Sequence, residues 1–219
     1  MKKNLNFYIT LWIVKLISAG LKLLGKNATY YPGKLALDMC PGFMGMLDKP
    51  KTIIGVTGTN GKTTVSNMIN DILIDNGYKI INNKYGSNID AGIATTLLQG
   101  ATLFGKSKKE IAVLEIDERS APKVFPYITP TYLICTNIFR DSLMRNAHTE
   151  FISEIVSKNV PKDTIVIENA DDLICSGIAP NNAKIYFSID KLDTDTKEPH
   201  NIVRDIITCP VCNTKLEYE

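Results

Sequence analysis

Apolar positions along this chain alternate between two rhythms. Short runs over Thr52–Val56, Lys79–Ile81, Ile111–Ile116, Tyr132–Thr136, Thr164–Ile167 and Lys184–Phe187 read as strands. Between them, Val65, Met68, Ile69, Ile72 and Leu73 recur at helical spacing until Asn76-Gly77 stops them, and 91–103, 120–127 and 149–158 read as further helices. Strand, crossover and strand in repetition predict an α/β fold: a mostly parallel sheet of the P-loop type with helices on both faces. Ligands of such folds gather at the carboxyl ends of the strands. This domain begins near Lys51. Before it lie a mostly apolar stretch, Leu5–Leu24, and a connecting segment punctuated by Tyr31-Pro32-Gly33 and Cys40-Pro41-Gly42.

The first strand runs into Thr57-Gly58-Thr59-Asn60-Gly61-Lys62-Thr63-Thr64, and a helix pattern follows at once. That is the context of a loop that cradles phosphates. Glycines let successive backbone N–H groups point inward, the helix start offers unpaired donors and a positive dipole end, and Lys62 adds a full charge. Thr63 is placed to ligate magnesium. The strict pattern wants glycine at position 56, where this chain has Val56 between Gly55 and Gly58. Other strand ends carry further polar groups. Glu115 closes the third apolar run and reads as the magnesium-organising acid. Glu118, close behind, reads as a solvated loop charge. Thr136-Asn137 with Asp141, and Asn169 with Asp172, complete one rim, although Asn and Asp are also ordinary turn formers.

Composition refines this picture at both ends. The chain has 219 residues, room for one large domain or one and a half. Its net charge of +2 hides an asymmetry, because residues 1–26 carry Lys2, Lys3, Lys15, Lys22 and Lys26 and no acid. No basic stripe is interleaved with aromatics, which sets nucleic-acid binding aside. In the segment 5–24, Lys15 interrupts the apolar stretch and argues against both a signal peptide and a spanning helix. A helix lying on anionic lipid and a helix packed on the domain both fit. Five cysteines, an odd number without a secretory signal, indicate reduced thiols in the cytoplasm. Cys209-Pro-Val-Cys212 has the spacing of half a zinc site, against the alternative of two unrelated thiols in a tail. His148 and His200 sit in polar stretches and read as surface residues.

Residues 57–64, Leu114-Glu115, Thr136–Asp141 and Asn169–Asp172 together resemble the Mur ligase family of ATP-dependent amide-bond-forming enzymes. Within it, Pro32–Leu37, Asn88–Ile93, Val113–Glu118, Asn137–Asp141 and the late Cys-Pro-x-Cys resemble the MurT-type subunits of lipid II isoglutaminyl synthases. The resemblance implies that residues 51–219 are the ATP-binding central domain after an amino-terminal segment 1–50. It implies ATP held by Gly58, Thr59, Asn60, Gly61, Lys62, Thr63, Thr64, Asn169 and Asp172. Lys62 and Glu115 would be catalytic, Thr63 and Glu115 would hold Mg2+, and Asn88, Asn137 and Asp141 would complete the rim. Cys209 and Cys212 would be the first Zn2+ ligands of a ribbon starting within 205–219.

The implied reaction converts the D-glutamate α-carboxylate of lipid II to D-isoglutamine through an acyl phosphate, with ammonia from a glutaminase partner, GatD. A carboxy-terminal ligase domain and a second cysteine pair are missing from the 219 residues, so the chain is expected to bind ATP without completing amidation alone. Asp141-Ser142-Leu143-Met144 also departs from the subfamily's D-Q-x-D. Two rivals stand beside this reading: a folylpolyglutamate synthase-like ligase of the same fold, and an inactive nucleotide-binding remnant. The expected location is the cytoplasm, at the inner face of the plasma membrane if the first helix is interfacial.

Overall fold

The structure, a computed structural model, describes residues 1–139, 149–190, 193, 208–209 and 212–215. Helix α1 (Leu5–Leu23) starts where the Asn4 side chain accepts the Phe7 N–H, and it is followed by α2 (Tyr31–Met39) and the single turn α3 (Phe43–Met46). The sheet then begins. Its elements are β1 (Thr52–Thr57), α4 (Lys62–Asp75), β2 (Ile80–Asn82), α5 (Asp90–Gly100), β3 (Ile111–Glu115), α6 (Ala121–Val124), β4 (Tyr132–Cys135), α7 (Thr149–Asn159), β5 (Ile165–Asn169) and β6 (Lys184–Phe187).

All six strands are parallel, in the order β2-β3-β1-β4-β5-β6. The chain places β3 on one side of β1 and β4 on the other, so the loop after β1 emerges where the winding reverses. That is the topological switch point, where open α/β sheets bind their ligands. Register completes the placement: Val56 lies beside Glu115 and Ile134, and Cys135 beside Glu168. The turns after β1, β3, β4 and β5 therefore share one rim.

The two faces are filled unequally. Ile53, Ala112, Leu114, Leu133 and Val166 point into the larger core, with Phe7 and Leu11 of α1, Phe43 and Met44 of α3, and Ile93 and Leu98 of α5. Helix α4 lies against β1, β2 and β3. Its outward pattern differs from the expected amphipathic stripe, because Met68 and Ile72 are exposed while Ser66 and Asn70 are buried. The loop sets the rotation of α4 by aiming Lys62 and Thr63 over the strand ends, and the face that then meets the sheet carries Ser66 and Asn70. Nine of the eleven residues of α5 are buried, as expected for a helix enclosed between α2 and the sheet. That enclosure requires Gly33: its N–H donates to Thr95 Oγ1 at 2.8 Å, and a Cβ there would sit 1.9 Å from the Ala91 carbonyl.

Two predicted boundaries move. The helix over 91–103 stops at Gly100, because Thr102 donates to the Lys106 carbonyl and opens a tight turn. The helix over 120–127 becomes a 3-10 turn, Glu118–Ser120, followed by α6, with Pro122 in the first turn of α6, where its missing N–H costs nothing. For α1, one face is packed on the domain: Phe7, Leu11 and Val14 are fully buried.

Candidate functional site

Gly58 and Gly61 carry the turn that reverses the chain between β1 and α4, with φ of +121° and +80°. A Cβ at Gly58 would lie 2.3 Å from Thr136 Oγ1 and 2.8 Å from the Asn137 carbonyl, so the loop passes directly against the end of β4. That contact is laced by hydrogen bonds. Thr59 N–H donates to the Asn137 carbonyl at 2.8 Å, and Asn60 N–H donates to Asn137 Oδ1 at 2.9 Å. Asn137 Nδ2 returns a bond to the Asn60 carbonyl at 3.1 Å, joined there by Thr136 Oγ1 at 2.6 Å. Phe139 N–H donates to Thr59 Oγ1 at 3.0 Å.

The amides of Thr59 and Asn60, expected on phosphate, are thus spent on the loop's own frame. The N–H groups of Gly61, Lys62, Thr63 and Thr64 have no hydrogen-bond partner among the described residues, and no side chain caps α4. Four aligned donors at a helix start form the electropositive cradle an anion requires.

Lys62 is folded back over this cradle. Its ammonium donates to the carbonyls of Gly58 and Thr59 and to Glu118 Oε1 at 3.0 Å. Glu118 is therefore corrected from a solvated charge to a buried partner of the loop lysine, 8 % exposed. Burial raises its carboxyl above the ordinary range, opposed by the Lys62 charge.

Thr63 and Glu115 meet as expected, with Thr63 Oγ1 donating to Glu115 Oε2 at 2.8 Å. Asn88 Nδ2 holds the other oxygen at 3.1 Å. Sequence reasoning missed Asn83, which clasps the Glu115 backbone: its Oδ1 accepts the Glu115 N–H and its Nδ2 donates to the Glu115 carbonyl, both at 2.9 Å. The signal was its place directly after β2, on the same rim. A hydroxyl and a carboxylate converging beside the cradle are hard oxygen donors of the kind magnesium takes, so the residues fit that ion.

Two expected nucleoside contacts have other work. Asp172 accepts the Ile138 N–H at 2.6 Å, the Ile174 N–H at 2.9 Å and the Cys175 N–H at 3.1 Å, and it is 9 % exposed. Asn169 Nδ2 donates to the Thr136 carbonyl at 3.0 Å and its Oδ1 accepts the Asp171 N–H. Both residues brace the 136–139 segment that braces the loop. Asp141 lies outside the described residues, as do Ser142, Met144, His148 and His200.

Cys209 and Cys212 stand on a tight turn: Cys209 N–H donates to the Thr214 carbonyl, Asn213 N–H returns to the Cys209 carbonyl, and Asn213 is left-handed at φ +57°. Hydrogen bonds from Thr214 lower the Cys212 thiol from its ordinary range. Among the described residues no group of three or more His, Cys, Asp or Glu side chains could hold a metal ion. A tetrahedral zinc needs four ligands, of which this pair could be at most two, and the zinc ribbon stays an expectation of the sequence alone.

A cleft of about 430 Å³ opens at Asn83, lined among others by Lys22 in the last turn of α1, Lys26 just beyond it, Asn82, and Thr96 and Gln99 of α5. Its two cations suit an anionic ligand, and it shares Asn83 with the frame that holds Glu115.

Residues 56–205 match the Mur ligase middle domain. The chain is 36% identical over 203 residues to the Lipid II isoglutaminyl synthase (glutamine-hydrolyzing) subunit MurT of Streptococcus pneumoniae, covering 91% of this chain and 44% of that protein. It is 30% identical over 210 residues to the subunit of the same name from Staphylococcus aureus, covering 94% and 47%. The chain thus spans about half the length of these relatives. Among solved structures, it resembles the MurF ligase from Thermotoga maritima in complex with ADP, with a TM-score of 0.50 and 19% identity over 71% of this chain and 35% of that one. The switch-point loop, its carboxylate and the match over 56–205 agree, and the chain belongs to the Mur ligase family.

Proposed function

We propose that this chain is the nucleotide-binding part of an ATP-dependent amide ligase of peptidoglycan synthesis, acting with Mg2+ on a carboxylate of lipid II. The observation that carries the reading is the Thr63–Glu115 pair beside four unpartnered amides at the start of α4. The amides of Gly61–Thr64 would take up the β- and γ-phosphates. Lys62 would leave Glu118 for the γ-phosphate and offset its developing charge. Thr63 and Glu115, the latter oriented by Asn83 and Asn88, would hold the magnesium. Bound ATP would supply the phosphoryl group that turns a carboxylate into an acyl phosphate, an electrophile that ammonia can attack. The cleft lined by Lys22 and Lys26 would admit the anionic acceptor beside Asn83.

Similarity to the MurT subunits over more than nine-tenths of the chain supports the narrower form. In that form the carboxylate is the α-carboxylate of D-glutamate, the product is D-isoglutamine, and ammonia comes from a glutaminase subunit such as GatD.

Calorimetric titration with ATP, with and without Mg2+, tests the core of the reading. Binding that needs Mg2+ and weakens at least tenfold, about 1.4 kcal/mol, in Lys62→Ala supports it. Unchanged binding in that variant overturns it. Adding lipid II and ammonium then tests the acceptor: ADP release that requires both supports amidation. ATP binding without acceptor-dependent release restricts the chain to a nucleotide-binding module.

A further inference from the structure

Helix α1 buries one face and leaves the other bare of charge. Leu5, Ile9, Trp12 and Leu16 follow one another at helical spacing along the outer face, and Leu5 and Leu16 are 75 % and 76 % exposed. The patch continues onto the turn after α5, where Leu103 and Phe104 are exposed and Trp12 Nε1 donates to the Leu103 carbonyl at 2.9 Å. A contiguous apolar surface built from two segments marks an interaction site.

Its surroundings define the chemistry of the partner. The two contributing segments, residues 1–37 and 101–109, hold no acidic residue, and Asp48, which lies against the turn, is paired with Lys3 at 2.9 Å, whereas Lys2, Lys15, Lys22, Lys26, Lys106 and Lys108 flank the patch or its ends. Lys15 donates to the Leu98 and Ala101 carbonyls, and its burial first, then the nearby Lys108 and Lys22 charges, hold its ammonium below the ordinary range, so three ammonium groups share one flank. An apolar strip edged by lysines complements a layer of acyl chains beneath anionic headgroups. A protein partner's groove would need acidic walls to match. The helix is long and apolar enough to cross a bilayer, but Phe7, Leu11 and Val14 are fully buried against the domain and hold it on the surface.

We propose that α1 and the 102–106 turn form a docking face that lies in the interface of an anionic lipid bilayer, with Trp12 and Phe104 inserted and the lysine flank on the headgroups. The face is distinct from the nucleotide rim, and its test needs no nucleotide.

Trp12 is the single tryptophan of the chain and reports directly. Vesicles of phosphatidylglycerol with phosphatidylcholine should shift its emission to the blue, brominated acyl chains should quench it, and the protein should float with the vesicles. Leu16→Glu combined with Phe104→Glu should weaken partitioning at least tenfold with an unchanged melting temperature, since both side chains are exposed. Lys106→Gln with Lys108→Gln should weaken it several-fold on anionic vesicles only. Absence of flotation, or equal binding to pure phosphatidylcholine, overturns the proposal. So does a concentration-dependent dimer that the Leu16→Glu, Phe104→Glu variant dissociates without any vesicle binding, which would assign the face to a second copy.

Discussion

Lys62 and Glu118 form an ion pair of 3.0 Å across the mouth of the phosphate loop, with side chains only 12 % and 11 % exposed. The pair ties the loop's one cation to the turn after β3. Two nearly buried charges that each lose water need one another, and removing either leaves the other exposed to a poor solvent. A phosphate that draws Lys62 away therefore competes with Glu118.

Glu118→Gln should for that reason tighten ATP binding several-fold, because the lysine then leaves a neutral partner. The same change should lower stability in the absence of nucleotide, by about 1–3 kcal/mol, since the Lys62 ammonium exchanges a charged acceptor for a neutral amide oxygen. Titration calorimetry paired with urea unfolding checks both. Weaker binding in this variant would mean that the carboxylate serves the bound state, against the competition argued here.

The two loop glycines should differ in a predictable way. Gly61 has a left-handed φ of +80° but open space around the missing Cβ, so Gly61→Ala should cost about 1 kcal/mol of backbone strain. Gly58 adds a clash with Thr136 and Asn137 to its φ of +121°, so Gly58→Ala must displace the loop from β4 and should abolish nucleotide binding. Thermal melts and ATP titration of the two variants side by side decide it, and equal losses would contradict the packing argument.

Asn137 makes a reciprocal pair with the Asn60 backbone, one bond in each direction. Asn137→Asp keeps the acceptor for the Asn60 N–H and loses the donor, while Asn137→Ala loses both. The expected order of stability is wild type, then Asp, then Ala, with about 1 kcal/mol per bond. Nucleotide affinity should fall in the same order, because the pair holds the loop open for phosphate. Indistinguishable Asp and Ala variants would show that the Asn60 N–H bond contributes nothing.

Local features of this site could be read from the chain, and features made by distant contacts could not. The glycine spacing, the strand before it and the helix after it lie within about twenty residues, and Thr63 and Glu115 follow from parallel pairing of β1 with β3. Glu118 was misjudged because its burial comes from packing of the turn after β3 near α7 and from Lys62, 56 residues earlier. Asn83 gains its role only when β2 lies beside β3. Asp172 reads like any acidic loop residue until the 136–139 backbone arrives to use one of its oxygens, the other being taken by the N–H groups of Ile174 and Cys175. Residue type shows which groups can do chemistry, and long-range packing decides whether they face a ligand or the chain itself.

A second buried pair makes a prediction about pH. Glu168 at the end of β5 is fully buried, with Oε2 bonded to Lys184 Nζ at 2.9 Å and Oε1 without a partner among the described residues. Burial raises its carboxyl above the ordinary 4.5, and the Lys184 charge only partly offsets this. A carboxyl with a raised folded value binds more protons in the folded than in the unfolded state between the two values. Its contribution to stability is therefore complete below pH 4.5 and is lost as pH rises through the raised value. Glu168→Gln removes that dependence while nearly preserving shape. The melting temperature of the wild type relative to Glu168→Gln should accordingly fall from pH 4.5 to pH 7, with the variant gaining ground at neutral pH. If the variant instead loses ground as pH rises, the Lys184 pair outweighs desolvation and holds the carboxylate ionised.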